Sequence, residues 1–401
     1  MIPYGKQSIT ESDLSVVTDC LQSGWLTTGP KVAEFEQRFA EFVGAKHAVA
    51  VCNATAALHL AMLVAEVGPG DRVITSPNTF VASANCAAFV DAKPDFVDID
   101  PVSYTLCPKA LAQHWTSDVK AVVAVDYAGQ TADMPAIARV ARDRGAVVIE
   151  DACHAVGGQF EHDGTLHRVG GHSWADMTTF SFHPVKTMTT GEGGMIVTDS
   201  EIYAERARTL RTHGITRQPD EFIGLGEPAL NERGPWYYEM RELGFNYRLT
   251  DFQCALGLNQ LSRLPEFISR RREIVAAYNE AFADIEVVKT PALRNPADRS
   301  TASWHLYTLQ IDFKKLEMTR SDFMRALANR GVGSQVLYIP VHLQPWYREQ
   351  FGYELGKCPH AEQLYSRTLS LPLFPGMSEA DIHMVVETVK GQCRIAARTS
   401  R

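Results

Sequence analysis

Thr179-Phe180-Ser181-Phe182-His183-Pro184-Val185-Lys186, continued by Gly191-Glu192-Gly193-Gly194, decides how this chain folds. Met177 to Phe182 has the composition of a short buried strand and ends in a polar turn that carries Lys186. A glycine-rich bend follows, then a second strand-like run, Met195 to Thr198. Two short strands would hold the lysine on rigid supports, and the glycines let backbone pass close by. Partial burial lowers the pKa of such a lysine and frees its amine to form a Schiff base. Taken alone, a strand-end lysine more often reaches solvent. The rest of the chain turns that reading round.

Working outward from this stretch, Ala48 to Cys52 predicts a buried strand, and Asn53-Ala54-Thr55 caps a helix over Ala56 to Val67. Strands are expected at Arg72–Thr75, Asp95–Asp98, Lys120–Asp126 and Ala146–Glu150, with helices at Phe80–Val90 and Met134–Arg144. Near-continuous apolar strands alternating with helices imply an α/β layer with about seven strands in a mainly parallel sheet. An N-terminal arm precedes it, with helices over Ser12–Leu21 and Val32–Val43 joined by the turn-rich Trp25-Leu26-Thr27-Thr28-Gly29-Pro30. After it come a charged helix, Glu201–Arg211, and a long connection over 215–245 that carries Trp236-Tyr237-Tyr238. Connections of that length are functional or disordered, and the aromatic triplet favours function. Thr250 caps a long helix to about Ala283, with a break expected near Pro265. A smaller α+β unit closes the chain: strand Leu306–Ile311, helix Ser321–Arg330, strand Gln335–Ile339, and a last helix from Glu379 capped by Ser378. The expected division is 1–255 for the arm and large domain and 256–401 for a small C-terminal domain.

With 401 residues, 45% of them hydrophobic and 21% charged, the chain can bury a sizeable core. A net charge of −8 argues against a nucleic-acid partner. The eight cysteines form no C-x-x-C pair, which fits buried thiols in a reducing cytoplasm and no structural zinc. The N-terminus lacks an apolar signal region, and the apolar runs are too short and interrupted to span a bilayer.

Ligands of open α/β sheets gather beyond the carboxyl ends of the strands, and four features fall there. Asn53-Ala54-Thr55-Ala56-Ala57 turns a strand directly into a helix, whose free N–H groups make a phosphate seat; a plain helix cap is the rival reading. Asp151 closes a hydrophobic strand, where its carboxylate can keep a ring nitrogen protonated, and His154 follows at a spacing that suits packing on a ring or bonding a ring hydroxyl. A structural cap is the alternative for Asp151. Ser181 stands beside Lys186. Phe80, in Pro77-Asn78-Thr79-Phe80, can cover a planar group, although a core phenylalanine is the commoner fate. Phosphate seat, carboxylate for a pyridinium, aromatic lid and Schiff-base lysine are together what pyridoxal 5′-phosphate requires.

The chain also resembles the DegT/DnrJ-type sugar-nucleotide aminotransferases, of the PLP-dependent transferase fold type I. The motifs that carry the likeness run through nearly the whole chain. They are Leu26-Thr27-Thr28-Gly29-Pro30, Asn53-Ala54-Thr55-Ala56-Ala57-Leu58, Glu150-Asp151-Ala152-Cys153-His154-Ala155, Ser181-Phe182-His183-Pro184-Val185-Lys186 and Gly244-Phe245-Asn246-Tyr247-Arg248. Within the family, Met1 to Gln7, His183 to Lys186, Gly234 to Glu239 and Tyr338 to His342 look most like transaminases of pseudaminic acid biosynthesis. The resemblance implies that Lys186 carries the internal aldimine and moves the proton, that Asp151 pairs with the pyridine nitrogen, and that His154 contacts the ring. It implies a phosphate held by Ala54, Thr55 and Ser181, and Asn246 reaching a phosphate in the neighbouring subunit of a homodimer. Tyr4, Gly24, Trp25, Leu26 and Thr27, with Gln335, Val336, Leu337 and Tyr338, match substrate-contacting segments. The implied reaction moves the amine of L-glutamate to C4 of a UDP-linked keto sugar, UDP-2-acetamido-2,6-dideoxy-β-L-arabino-hex-4-ulose. His154 stands where many relatives have Gln, and Cys153 where Ala or Ser is common.

Two other classes compete. A sugar dehydratase of the same family is expected to have His at the aldimine position, and Lys186 argues against it. A non-catalytic regulatory relative has no chemical reason to keep Lys186, Asp151 and Ser181. Asp98-Ile99-Asp100 mimics a metal-binding D-x-D but sits before Pro101 and is expected to be a turn. His162, His167 and His172 are expected to be solvated in a polar loop, and no histidine cluster has metal-ligand spacing. No G-x-G-x-x-G follows a strand, so a dinucleotide site is unsupported.

Overall fold

A computed structural model gives the structure of the protein and describes residues 1–226 and 233–399. Seven strands form the central sheet: β1 (His47–Val51), β2 (Arg72–Thr75), β3 (Lys93–Phe96), β4 (Val119–Val125), β5 (Val147–Asp151), then, beyond a small hairpin of β6 (Gln159–His162) and β7 (Thr165–Arg168), β8 (Met177–Ser181) and β9 (Gly194–Thr198). Their order is β1-β9-β8-β5-β4-β2-β3. Only β9 runs against its neighbours. The strands are buried on both faces, as their continuous Val, Ile and Ala content requires.

Helices α1 (Glu11–Gln22) and α2 (Pro30–Val43) form the N-terminal arm. Pro30 opens α2 and Gly44, at φ 88°, closes it. The sheet is crossed by α3 (Ala54–Val64), α4 (Ala82–Ala88), α5 (Pro108–His114), α6 (Met134–Arg142) and α7 (Glu201–Arg211). Asn53 caps α3 as expected, its Oδ1 accepting the Ala56 amide at 2.8 Å. Asp100 does serve a turn, accepting the amides of Val102 and Ser103, whereas Asp98 accepts those of His360 and Ala361 at the start of a distant helix.

A two-residue pair, β10 (Ile215–Thr216) with β11 (Glu239–Met240), lies in the long connection before α8 (Asp251–Phe282). That helix starts on a capping box of Thr250 with Gln253 and runs unbroken through Pro265. The expected break is absent. Both flanks of the proline are buried, Leu261 and Leu264 before it and Phe267 and Ile268 after it. Packing on both sides therefore outweighs the one lost backbone bond.

The division expected at 255/256 falls inside α8. The first half of the helix packs with α2 and the sheet, and Ile274, Val275, Tyr278 and Phe282 enter a second core. That core covers a three-stranded antiparallel sheet of β12 (Val288–Lys289), β13 (Tyr307–Ile311) and β14 (Thr368–Leu371). Around it lie α9 (Arg320–Asn329) and α12 (Glu379–Thr399), while α10 (Pro345–Phe351) and α11 (Pro359–Arg367) carry Tyr347, Ala361 and Leu364 into a separate cluster with Phe96 and Tyr127. The strand expected at Gln335–Ile339 does not form; only Gln335 pairs, with Ser370. The Leu337 carbonyl accepts the Tyr127 hydroxyl at 2.5 Å, and Pro340 has no N–H to donate. Ile2 joins the second core, and the amides of Ile2 and Gly333 bond the carbonyls of Gly331 and Ile2.

Gly194 pairs with Val51 on one side and with Ser181 on the other. A Cβ there would lie 2.6 Å from the Asn53 carbonyl carbon and 2.7 Å from the Ala54 amide nitrogen. Gly194→Ala must therefore push the start of α3 away from β8. We expect a loss of about 1–3 kcal/mol of stability in urea unfolding, together with weaker cofactor retention.

Candidate active site

A cavity of about 480 Å³ opens beyond the carboxyl ends of β1, β5 and β8. Asp151 ends β5 and faces it, buried. Its Oδ2 accepts the Ser83 hydroxyl at 2.6 Å and its Oδ1 the Cys153 amide at 3.2 Å. Ser83 spends its one proton on Asp151, so the contact at 2.7 Å with Thr79 is donated by Thr79. The pair of hydroxyls fixes the rotamer of the carboxylate. Neither Thr79 nor Ser83 stood out in the sequence as a partner of Asp151; the only available signal was a Thr and a Ser four residues apart at the start of a helix.

Lys186 also lines the cavity, in the turn where its amide donates to the His183 carbonyl at 2.8 Å. Burial pushes its ammonium pKa down, against the pull of Cys153 and Asp151. That is the condition under which a lysine amine becomes nucleophilic. The amides of Ala54 and Thr55 lie ahead of the first intrahelical bond of α3, Ala57 N–H to Asn53 O at 3.1 Å. Ser181 is the neighbour of these amides through the Gly194 register. Phe80 also lines the cavity, 57% exposed, and its ring centroid is 6.2 Å from that of Tyr338.

His154 is buried beside Asp151 and also lines the cavity. Tyr4, Leu337 and Tyr338 complete the far wall. Gly24, Trp25, Leu26 and Thr27 lie elsewhere: Thr27 bridges to Thr250, the Leu26 carbonyl accepts the Asp251 amide, and Trp25 is exposed. Gln335 and Val336 are outside the cavity wall. Asn246 is exposed, its Oδ1 held by Arg248 Nε at 3.0 Å, and it does not reach the cavity of its own chain.

Behind Asp151, on the other face of the sheet, sit groups with no counterpart in the sequence reading. The Glu150 carboxylate is fully enclosed and accepts from Thr178 at 2.9 Å, with His172 Nε2 at 3.1 Å. His172 is therefore a buried partner and not a solvated loop residue; the carboxylate of Glu150 draws its ring inward. His162 and His167 lie on the hairpin of β6 and β7 against Trp174. Burial raises Glu150, and the charge and hydrogen bond of His172, with Thr178 and Gly170, outweigh it and leave the pKa lowered. Asp126 is wholly buried against Glu150. Burial, Glu150 and Asp151 push its pKa well above the usual carboxylate range. Its Oδ1 accepts the Ala132 amide, and no donor among the described residues faces its Oδ2. A protonated Oδ2 directed at Glu150 accounts for that.

These positions suit pyridoxal phosphate. Free helix amides with a serine suit a phosphate, a fixed carboxylate suits a pyridinium, and the lysine lies on the same cavity. The sequence pattern of the DegT/DnrJ/EryC1/StrS aminotransferase family matches residues 7–390. The chain belongs to this family. The spore coat polysaccharide biosynthesis protein SpsC of Bacillus subtilis is 44% identical over 390 residues, which cover 97% of this chain and 96% of that one. The putative sugar aminotransferase Spr1654 of Streptococcus pneumoniae, in its PLP form, superimposes with a TM-score of 0.86 at 29% identity, over 98% of this chain and 99% of the other. Helicobacter pylori PseC, an aminotransferase involved in the biosynthesis of pseudaminic acid, gives 0.87 at 26%, over 98% and 99%. The protein is thus a PLP-dependent sugar aminotransferase of fold type I.

The buried acid pair of this aminotransferase has a testable signature. Asp126 takes up a proton on folding, so its contribution to stability is present at acid pH and is lost as pH rises from the ordinary Asp range through its raised folded value. Asp126→Asn should remove that part of the decline. Urea unfolding across pH 5 to 9 is expected to show a flatter stability profile for the variant than for the parent, whereas an unchanged slope would place the charge elsewhere.

Proposed function

We propose that this aminotransferase moves the amino group of L-glutamate to C4 of a UDP-linked 4-keto-6-deoxy-N-acetylhexosamine. The reading that fits best is UDP-2-acetamido-2,6-dideoxy-β-L-arabino-hex-4-ulose, in pseudaminic acid biosynthesis. The observation that carries the chemistry is Lys186 and Asp151 facing one cavity closed by the free N-terminal amides of α3. The sugar is supported by the stretches Met1–Gln7, Gly234–Glu239 and Tyr338–His342 and by the likeness to PseC.

Pyridoxal phosphate, when bound, supplies an electron sink for the carbon that carries the amine. In this proposal Ala54, Thr55 and Ser181 hold its phosphate, and Asp151 keeps its ring nitrogen charged. His154 packs beside the ring and Phe80 covers it. Lys186 Nζ would hold the cofactor and would move the proton at the substrate carbon in both half-reactions. Tyr4, Leu337 and Tyr338 contact the sugar nucleotide from the same chain. Asn246, Gly24 to Thr27, Gln335 and Val336 lie outside this cavity, and the proposal has the first two groups serve a neighbouring subunit in a homodimer. In the same reading 1–255 form the cofactor domain, 256–401 the small domain, and the enzyme works in the cytoplasm.

A second reading keeps the chemistry and changes the sugar. The 44% identity with SpsC favours a keto sugar destined for another polysaccharide. The two readings separate in one experiment. The enzyme is converted to its amino form with L-glutamate, freed of amino acid, and given the L-arabino and D-xylo 4-keto sugars separately. Return of the visible absorbance with the L-arabino sugar alone supports the first reading. Return only with D-xylo, or with neither, overturns it. Lys186→Ala should abolish the visible band and lower turnover by at least about 10²-fold; retained turnover would sink the role of the lysine.

A further inference from the structure

We infer that Tyr338, and not His154, makes the hydrogen bond to the molecule seated against Lys186, and that His154 and the Tyr127-Ala128-Gly129 turn are its positioning residues. Nδ1 of His154 lies 3.2 Å from the Ala128 amide. An amide only donates, so Nδ1 carries no proton. Burial, and then Lys186, hold the ring neutral by pushing its pKa well below the usual value. The one ring proton is therefore on Nε2, which faces the Tyr338 hydroxyl at 3.1 Å. Tyr338 must accept there. Burial raises its own pKa, so it keeps its proton and must place it elsewhere. Tyr338 lines the cavity, its ring between that of His154 on the inside and the exposed Phe80 at the mouth. His154 has no second N–H to offer a ligand.

The turn that sets this direction is unusual. Ala128 has φ 60°, a region that residues other than glycine rarely adopt. Gly129 has φ 98°, and a Cβ on it would lie 1.8 Å from the Ser303 carbonyl oxygen. The Ala128 carbonyl accepts the His305 amide at 3.0 Å, and the His305 ring packs on His154 with centroids 4.4 Å apart. The same turn holds Leu337 through Tyr127. One strained loop thus fixes the acceptor nitrogen of His154 and the residue before Tyr338.

The partner of Tyr338 is an oxygen with anionic or carbonyl character, on the cofactor ring or on the substrate. The inference rests on Lys186 as the cofactor lysine and not on the identity of the sugar. It is tested in the PLP-loaded enzyme with Tyr338→Phe, His154→Ala, His154→Gln and the Tyr338→Phe/His154→Ala double variant. If the oxygen is on the ring, loss of the donor shifts the pH midpoint of the visible band upward by about one unit without any substrate. If it is on the substrate, the band stays and the half-saturating concentration of L-glutamate or keto sugar rises about tenfold. In either arm His154→Ala shifts the same quantity in the same direction, His154→Gln restores most of it by supplying an N–H, and the double variant resembles Tyr338→Phe alone. The inference is overturned if Tyr338→Phe changes neither quantity, or if His154→Ala adds a full effect in the Tyr338→Phe background. A visible band that is absent from the parent protein would instead remove the reading of Lys186.

Discussion

One glycine holds two walls of the site together. Gly194 is the residue at which β9 pairs at once with the last residue of β1 and the last residue of β8. The helix after β1 begins three residues on, and the lysine turn after β8 begins at once. Antiparallel register therefore sets the distance between the α3 amides and the lysine turn, and the absence of a side chain lets α3 start against the strand. Asp151 arrives by a separate route, through the parallel pairing of β5 with β8. The α3 amides, the Asp151 carboxylate and the Lys186 turn each lie at or just beyond the end of a strand of this one sheet. None of them depends on a long loop for its position.

The same strand ends concentrate negative charge. Asp126, Glu150 and Asp151 lie at the ends of two adjacent strands, all buried. Three buried carboxylates would repel each other strongly in a medium this poor in water. The fold sorts them by face. Glu150 is turned away from the cavity and matched with His172 and Thr178. Burial against Glu150 pushes the pKa of Asp126 well above the usual carboxylate range. Asp151 alone is presented to the cavity, with two hydrogen bonds to its carboxylate. The buried groups on the back of the sheet thus leave one carboxylate on the front, facing the cavity.

The sheet was legible because every strand is an uninterrupted apolar run bounded by turn residues, and burial on both faces demands that composition. The caps at Asn53, Thr250 and Ser378 were legible because their chemistry is local. Pro265 misled because the forces that keep α8 straight are contacts with partners far away in sequence. Gln335 to Ile339 misled because its composition suits a strand, while its carbonyl at Leu337 is claimed by Tyr127 from another element. His172 carries no mark of burial; only the pairing of β5 with β8 reveals the acid it meets. Lys186, Asp151, His154, Ala54, Thr55, Ser181 and Phe80 could be singled out as candidates because each lies at or just beyond a strand end, and the structure brings them to one cavity. Ser83, Thr79 and Asp126 support them from neighbouring turns and were invisible for the same reason in reverse.

The lining of the cavity comes from different parts of the chain. One part is made by the ends of β1, β5 and β8, locked to one another by the sheet, and another by Tyr4, Leu337 and Tyr338. Tyr4 is not held by the sheet at all. Its carbonyl accepts the Leu373 amide at 3.1 Å, and the preceding Ile2 is packed in the C-terminal core. The first residues of the chain are therefore anchored on the second core, and Tyr4 reaches the cavity from there. A change in the packing of that core would move Tyr4 and leave Lys186 and Asp151 where they are, because those two stand at or just beyond the ends of paired strands of the large sheet.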